Sequence, residues 1–264
     1  MVNDQVSRAT RLPRRLWVTA LLAIAFLSGC ATTPYRAHPQ FEDRLRTGLT
    51  VALVPPDVKV YQITAGEVRE QMDEWSETAR TNVLAAMRKR LGSGRVLTVR
   101  EFDPAKSQAA REEFEDASPL FQAVALSAVL HTYRPETQFK TKMDRFDYSL
   151  GPLPALAEAS EADALVFVRA VDNISTGGRV ARNVALVLIG AAAGVVIIPQ
   201  GGVTAMSAAL VDARTGDILW FNTHASGGGH DLRDPASAET FVAQAFEAFA
   251  KTFPTGKPEM EKRP

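Results

Sequence analysis

His224 and His230 flank the run Ala-Ser-Gly-Gly-Gly, and Asp231 and Asp234 follow closely. Two imidazoles and a carboxylate on one loop could close on a zinc-type ion, which would make residues 224–234 the centre of a metal-dependent periplasmic enzyme. The same residues also read as a glycine loop after a strand, with polar groups facing water, and this second reading is preferred. Asp212 and Asp217 bracket Arg-Thr-Gly at a spacing that could pair carboxylates for acid–base work. Aspartate beside a tight turn more commonly bonds the local backbone, and that is the expectation here. His131 stands in an otherwise apolar stretch and is expected to be a half-buried, satisfied histidine. No GxSxG, HExxH, Walker A or GxGxxG pattern occurs, so hydrolase, zincin and nucleotide-binding chemistry lack their usual support. The expectation is a protein that is not an enzyme, with no metal and no diffusible cofactor.

Cys30 is the only cysteine in the chain. Arg8, Arg11, Arg14 and Arg15 precede a twelve-residue, largely apolar run at 16–27, too short to span a bilayer and laid out as an export signal. Leu27-Ser28-Gly29-Cys30 then resembles the bacterial lipobox. That resemblance implies cleavage after a signal peptide of residues 1–29, with diacylglycerol and an N-acyl chain placed on Cys30. Such a cysteine offers no thiol for redox work, disulfides or metal ligation. Each buried methylene contributes about 0.8 kcal/mol, so two or more acyl chains make a stable anchor. Arg14-Arg15 also fits a twin-arginine route, although no further residue of that pattern supports it. Ala31 stands where enterobacterial lipoproteins held at the inner membrane carry aspartate, so the expected location is the periplasmic face of the outer membrane.

The full chain carries 30 basic and 30 acidic side chains. Loss of residues 1–29 removes four of the former and one of the latter, leaving 26 against 29, a net charge near minus three. With no basic stripe this excludes a nucleic-acid partner. The partners expected are the membrane, through lipid, and envelope proteins or a second copy of the chain. Residues 30–47 mix Pro, Thr and charge and read as a tether; a charged, disordered tail is expected at 255–264.

Between them, 48–254 should form one α/β domain that positions the polar groups above. Residues 50–54 read as a strand ended by Pro55-Pro56, and 58–63 as another. Thr64 and Glu67 form a capping-box pattern ahead of Val68, Met72, Trp75, Ala79, Val83, Met87 and Leu91, spaced as one stripe of a long helix that stops at Gly92. Residues 95–99 suggest a strand. Asp103-Pro104 and Ser118-Pro119 each suggest a helix start, and the second helix, apolar nearly all round, is expected to lie buried between other elements. Residues 135–150 look irregular, and Pro152 and Pro154 lead into a short helix. Residues 164–171 are apolar on both faces, as a central strand is. Two strand-like runs then meet at Arg214-Thr215-Gly216 in a hairpin, and Asp234-Pro235 opens a last helix lined by Phe241, Val242, Ala245, Phe246, Phe249 and Phe253.

VALVLIGAAAGVVII, residues 184–198, interrupts this pattern. As a helix it would be about 22 Å long against a hydrocarbon thickness of roughly 30 Å, and one crossing would place strands of a single sheet on opposite sides of a membrane. It does not alternate as a pore-lining strand must. The insert at 179–200 therefore reads as a short apolar docking helix, with a strand pair as the alternative. Gly190 and Gly194 leave a face for close approach, Leu186 and Leu188 are its apolar contacts, and Arg179 and Arg182 read equally as groups that meet lipid phosphates and as a solvated helix start. It would pack on its own domain, a neighbouring subunit or the anchoring membrane.

VALVPP ahead of the long helix, LAEASEADALVFVRAV and LVDARTGDILW together resemble the periplasmic domain shared by curli-secretion channel lipoproteins and the N-terminal domain of TolB. The apolar insert before the LVDxRTGxxxWFN hairpin is also similar to that of a group of proteobacterial envelope lipoproteins. The resemblance spans roughly 48–253. It implies an α/β (α+β) fold, a single mixed sheet packed by helices with a C-terminal hairpin and helix. It also implies a non-enzymatic assembly or secretion accessory that works by binding.

Overall fold

The organising element is a twelve-residue strand, β6 (Ala164–Ser175), whose residues alternate between two covered faces. The computed structural model describes residues 35–46, 48–64, 66, 68–92, 97–176 and 202–252. Besides β6 the sheet holds β1 (Arg36–Ala37), β2 (Leu49–Leu53), β3 (Asp57–Ile63), β4 (Arg69–Gln71), β5 (Leu97–Glu101), β7 (Thr204–Asp212) and β8 (Ile218–Ser226). The order β1-β8-β7-β6-β2-β5 makes it mixed: β2 runs parallel to β5 and β6, while β7, β8 and β1 add antiparallel strands. Pro55 and Pro56 break the ladder after β2, and β3 resumes parallel pairing along the second half of β6, with Asp57 opposite Arg169. β6 is thus central, as its two-sided apolar pattern requires.

One face of the sheet, with Val51, Leu53, Val58, Val60, Val166 and Val168, is covered by α1 (Phe41–Arg46), α2 (Asp73–Gly92), α6 (Pro235–Ala245) and α7 (Glu247–Thr252). Met87 and Val83 meet it from α2, and Phe241, Phe246 and Phe249 from the C-terminal helices, where Trp220 stacks on Phe246 at 5.6 Å. The opposite face, with Leu165, Phe167, Val211 and Phe221, is covered by α3 (Gln108–Thr132) and α5 (Pro154–Ser160). The short α4 (Lys140–Asp144) lies beyond α3 in sequence. The expected single mixed sheet packed by helices is the architecture observed, with its C-terminal hairpin and helix.

The last helix breaks at Phe246 into α6 and α7, residues 140–144 of the stretch read as irregular form α4, and three further elements differ from the sequence reading. The long helix starts at Asp73, not at Thr64. Arg69–Gln71 instead adds to the edge of β3, the Thr64 N–H donates to the Val68 carbonyl across the turn, and Arg69 stacks over Tyr61 at 3.6 Å. Edge pairing therefore takes residues that the capping-box pattern assigns to a first helical turn, and Val68 is left 60% exposed. Secondly, Asp103 caps only a short 3-10 turn at Pro104–Lys106, and Ser107 caps one continuous helix that runs through Pro119. The lost N–H bond there lies on an exposed turn, where the freed carbonyl is open to solvent. Thirdly, the expected tether is not all tether: β1 pairs with β8, and Phe41 and Leu45 of α1 are buried in the core. Their apolar side chains have too few neighbours in sequence to show a period.

Candidate functional site

β8 ends at Ser226, and the exposed glycines 227–229 lead into the segment that carries most of the candidate polar groups. Gly228 and Gly229 have φ of +71° and +118°, so the chain reverses there in a conformation that favours glycine. Asp231 is then held by Arg233 through two bonds of 2.9 and 2.7 Å, and the adjacent guanidinium keeps its carboxyl below the usual aspartate range. Asp234 caps α6, accepting from the Ser237 N–H at 2.8 Å. His224 Nε2 lies 3.1 Å from Gln244 Oε1, and both His224 and His230 lean on the ring of Phe241. Each candidate ligand therefore has a structural partner. Among the described residues no group of three or more His, Cys, Asp or Glu side chains stands close enough to hold a metal ion.

The group that organises this segment was not singled out in the sequence. Asp172, near the end of β6, is 1% exposed. Its Oδ1 accepts from Thr204 Oγ1 at 2.8 Å and its Oδ2 from the Leu232 N–H at 2.9 Å, so one carboxylate joins β6, β7 and the loop ahead of α6. Burial raises its pKa; the two hydrogen bonds oppose that without cancelling it. From the other side Asn82 of α2 donates to the Leu232 and Arg233 carbonyls at 3.1 and 2.8 Å, and Arg233 lies 4.1 Å over Trp75. These contacts form a clamp, with each polar group matched inside the fold.

Asp212 behaves as a turn residue: its Oδ1 accepts from the Arg214 and Thr215 N–H groups, both at 3.0 Å, and Oδ2 pairs with Arg44. Asp217 stands across the hairpin, its N–H held by Thr215 Oγ1 and its carbonyl accepting from the Asp212 N–H at 2.9 Å. His131 Nδ1 lies 3.2 Å from the Thr137 carbonyl and its ring stacks on Phe139 at 4.0 Å, as a satisfied, half-buried histidine should. Tyr133 is pushed well above the usual phenol range by burial, and its hydroxyl donates to the Phe221 carbonyl at 3.2 Å. An open groove of about 420 Å³ between α2 and α6 is lined by Arg90, Glu239, Thr240, Ala243, Gln244 and Glu247. It holds neither a histidine nor a cysteine.

Most of the large apolar side chains left exposed among the described residues lie on α3 or just beyond it. Residues 119–130 of α3 contain no charge at all. Phe121, Ala125 and Ala128 of this run face the sheet, whereas Leu120 and Leu126 are 43% and 59% exposed and Pro119 and Ala123 lie exposed with them. At 100° per residue those four positions share one outward arc. The expectation that this helix is buried on every side is therefore corrected: only one side meets the sheet. Phe139 and Met143, just beyond, are exposed as well. Cys30 lies outside the described residues, as do the insert positions Arg179, Arg182, Leu186, Leu188, Gly190 and Gly194. No described helix is long and apolar enough to cross a membrane.

No family model and no curated protein sequence matches the chain. Among solved structures it is similar to the PelC dodecamer of Paraburkholderia phytofirmans, at 12% identity over 76% of this chain and 88% of that one, with a TM-score of 0.33. Lipoprotein GNA1162 of Neisseria meningitidis matches at 11% identity over 76% and 96%, with a TM-score of 0.31. The C-terminal domain of LpoB from Salmonella enterica matches at 16% identity over 72% and 94%, with a TM-score of 0.24.

Proposed function

We propose that the chain is a lipoprotein, anchored through acyl chains on Cys30, whose α/β domain works as a non-enzymatic binding module in assembly or secretion at the cell envelope. The periplasmic face of the outer membrane is the location that Ala31 favours. The observation that carries the binding role is the charge-free run 119–130, buried on one side and exposing Pro119, Leu120, Ala123 and Leu126 on the other. A contiguous exposed apolar strip on a folded domain marks a contact surface or an aggregation liability. Support also comes from the polar groups, since Asp172, Asp212, Asp231 and Asp234 are all bound within the fold. The partner is a protein offering an apolar surface of its own, either a second envelope protein or another copy of this chain.

A photo-crosslinking residue at Ala123, installed in the full-length chain in intact cells, tests this. It should give adducts of discrete size that disappear when Leu126→Glu is added, while the purified variant keeps the wild-type melting temperature because Leu126 is 59% exposed. Absence of adducts, or adducts untouched by Leu126→Glu, would remove the role assigned to this face.

A further inference from the structure

We infer that one end of the sheet, formed by the β3–β4 turn, the start of β7 and the glycine loop after β8, lies against the lipid surface that holds the anchor. This rests on the lipid-anchor reading of Cys30 and adds an orientation to it. β3, β6 and β8 all run toward that end and β7 starts from it. β1 pairs antiparallel with β8, Arg36 opposite Phe221 and Ala37 opposite Trp220, so the chain followed back toward its N-terminus moves along β8 in the direction of Ser226. That direction is pinned. Arg36 donates to the Thr132 carbonyl at 2.5 Å and its guanidinium lies 4.6 Å over the Tyr133 ring.

Chain length then limits the distance to the membrane. Five Cα steps separate Tyr35 from Cys30, a reach of about 18 Å at full extension. Tyr35 stands near the level of Asn222, and Ser226 is four residues further along, about 13 Å of strand. The anchor can therefore pass the sheet end by only about 5 Å, the difference of those two lengths. A bilayer at the opposite end would require the chain to reverse at Tyr35, against the direction set by its pairing, and to pass back along Phe221–Ile218 and the 213–217 turn.

The end so selected carries side chains suited to an interface. Val68 at the β3–β4 turn and Val203 before β7 are 60% and 43% exposed, two of the six exposed large apolar groups among the described residues. Gly227–229, close to Gly202 beside Val203, are exposed and bear no side chain. Apolar groups of this kind settle at the boundary of headgroups and acyl chains.

Because Cys30 is the only cysteine, the lipid-modified full-length protein should take up no maleimide, and any introduced cysteine becomes its only thiol. Val68→Cys, Val203→Cys, Glu42→Cys on α1 and Glu158→Cys on α5 would each be labelled with an environment-sensitive fluorophore. Each would then be incorporated into phosphatidylethanolamine–phosphatidylglycerol vesicles containing a nitroxide lipid. Quenching at 68 and 203, with 42 and 158 bright, is the expected result. Quenching at 42 or 158 in place of 68 and 203, or equal intensity at all four, would overturn the orientation while leaving the anchor intact. Maleimide uptake by the wild type, or failure of it to float with vesicles, would instead remove the anchor and the orientation with it.

Discussion

Asp172 sets the residue scale, because removing it strands two buried donors at once. Asp172→Ala leaves the Leu232 N–H and the Thr204 hydroxyl without their acceptor, at about 1–3 kcal/mol for each donor. Urea denaturation should therefore show a loss of several kcal/mol. Asp172→Asn keeps an acceptor for Leu232 and can donate to Thr204, whose hydroxyl then turns to the His230 carbonyl at 3.5 Å. The pH dependence follows from the raised pKa. The folded state holds this proton more tightly than the unfolded chain, so the contribution is complete below the ordinary value of 3.8 and is lost as pH rises through the folded value. The wild type should lose stability over that window and Asp172→Asn should not; an identical pH profile for both would contradict the assignment. The roles of Asp212 and Asp234 were legible in the sequence because their donors lie within three residues. Asp172 was not, since its partners are 32 and 60 residues away. Glu113 was silent for the same reason: it accepts from the Ala155 and Leu156 N–H groups and so caps α5 from another helix.

At the scale of elements, tertiary contacts overrode two local signals. Ser118-Pro119 has the residues of a helix start, yet α3 continues because Ala117, Phe121, Ala125 and Ala128 bury one face along the sheet. Pro119→Ala should restore the missing backbone bond and raise stability by about 1–3 kcal/mol, read by thermal or chemical unfolding. An unchanged or lower stability would mean that the helix draws some other benefit from the proline. Thr64 and Glu67 likewise match a capping box, and the open edge of β3 took the following residues instead. The hairpin was legible because its turn is local. Gly216 has φ of +76°, and a Cβ there would stand 1.8 Å from the Gly151 carbonyl oxygen. Gly216→Ala should therefore lower stability by about 2 kcal/mol or more, from positive φ and the clash together.

For the whole molecule, the sheet and its helix layers followed from periodicity, because the two faces of β6 and the stripes of α2 and α6 repeat over many residues. The entry of the chain into the fold did not, since β1 is two residues long. Its placement matters most for function: an anchor at Cys30 would hold the domain within about 18 Å of lipid, with the apolar strip of α3 free to meet a protein. That arrangement stands on the modification of one cysteine. Mass spectrometry of tryptic peptides from the membrane-extracted protein tests it most directly, because Arg36 is the first cleavage site after Cys30. The account predicts that the N-terminal peptide is 30–36, beginning at Cys30 and carrying a diacylglyceryl thioether and an N-linked acyl chain. An unmodified peptide spanning 16–36, uncut before the cysteine, would contradict it.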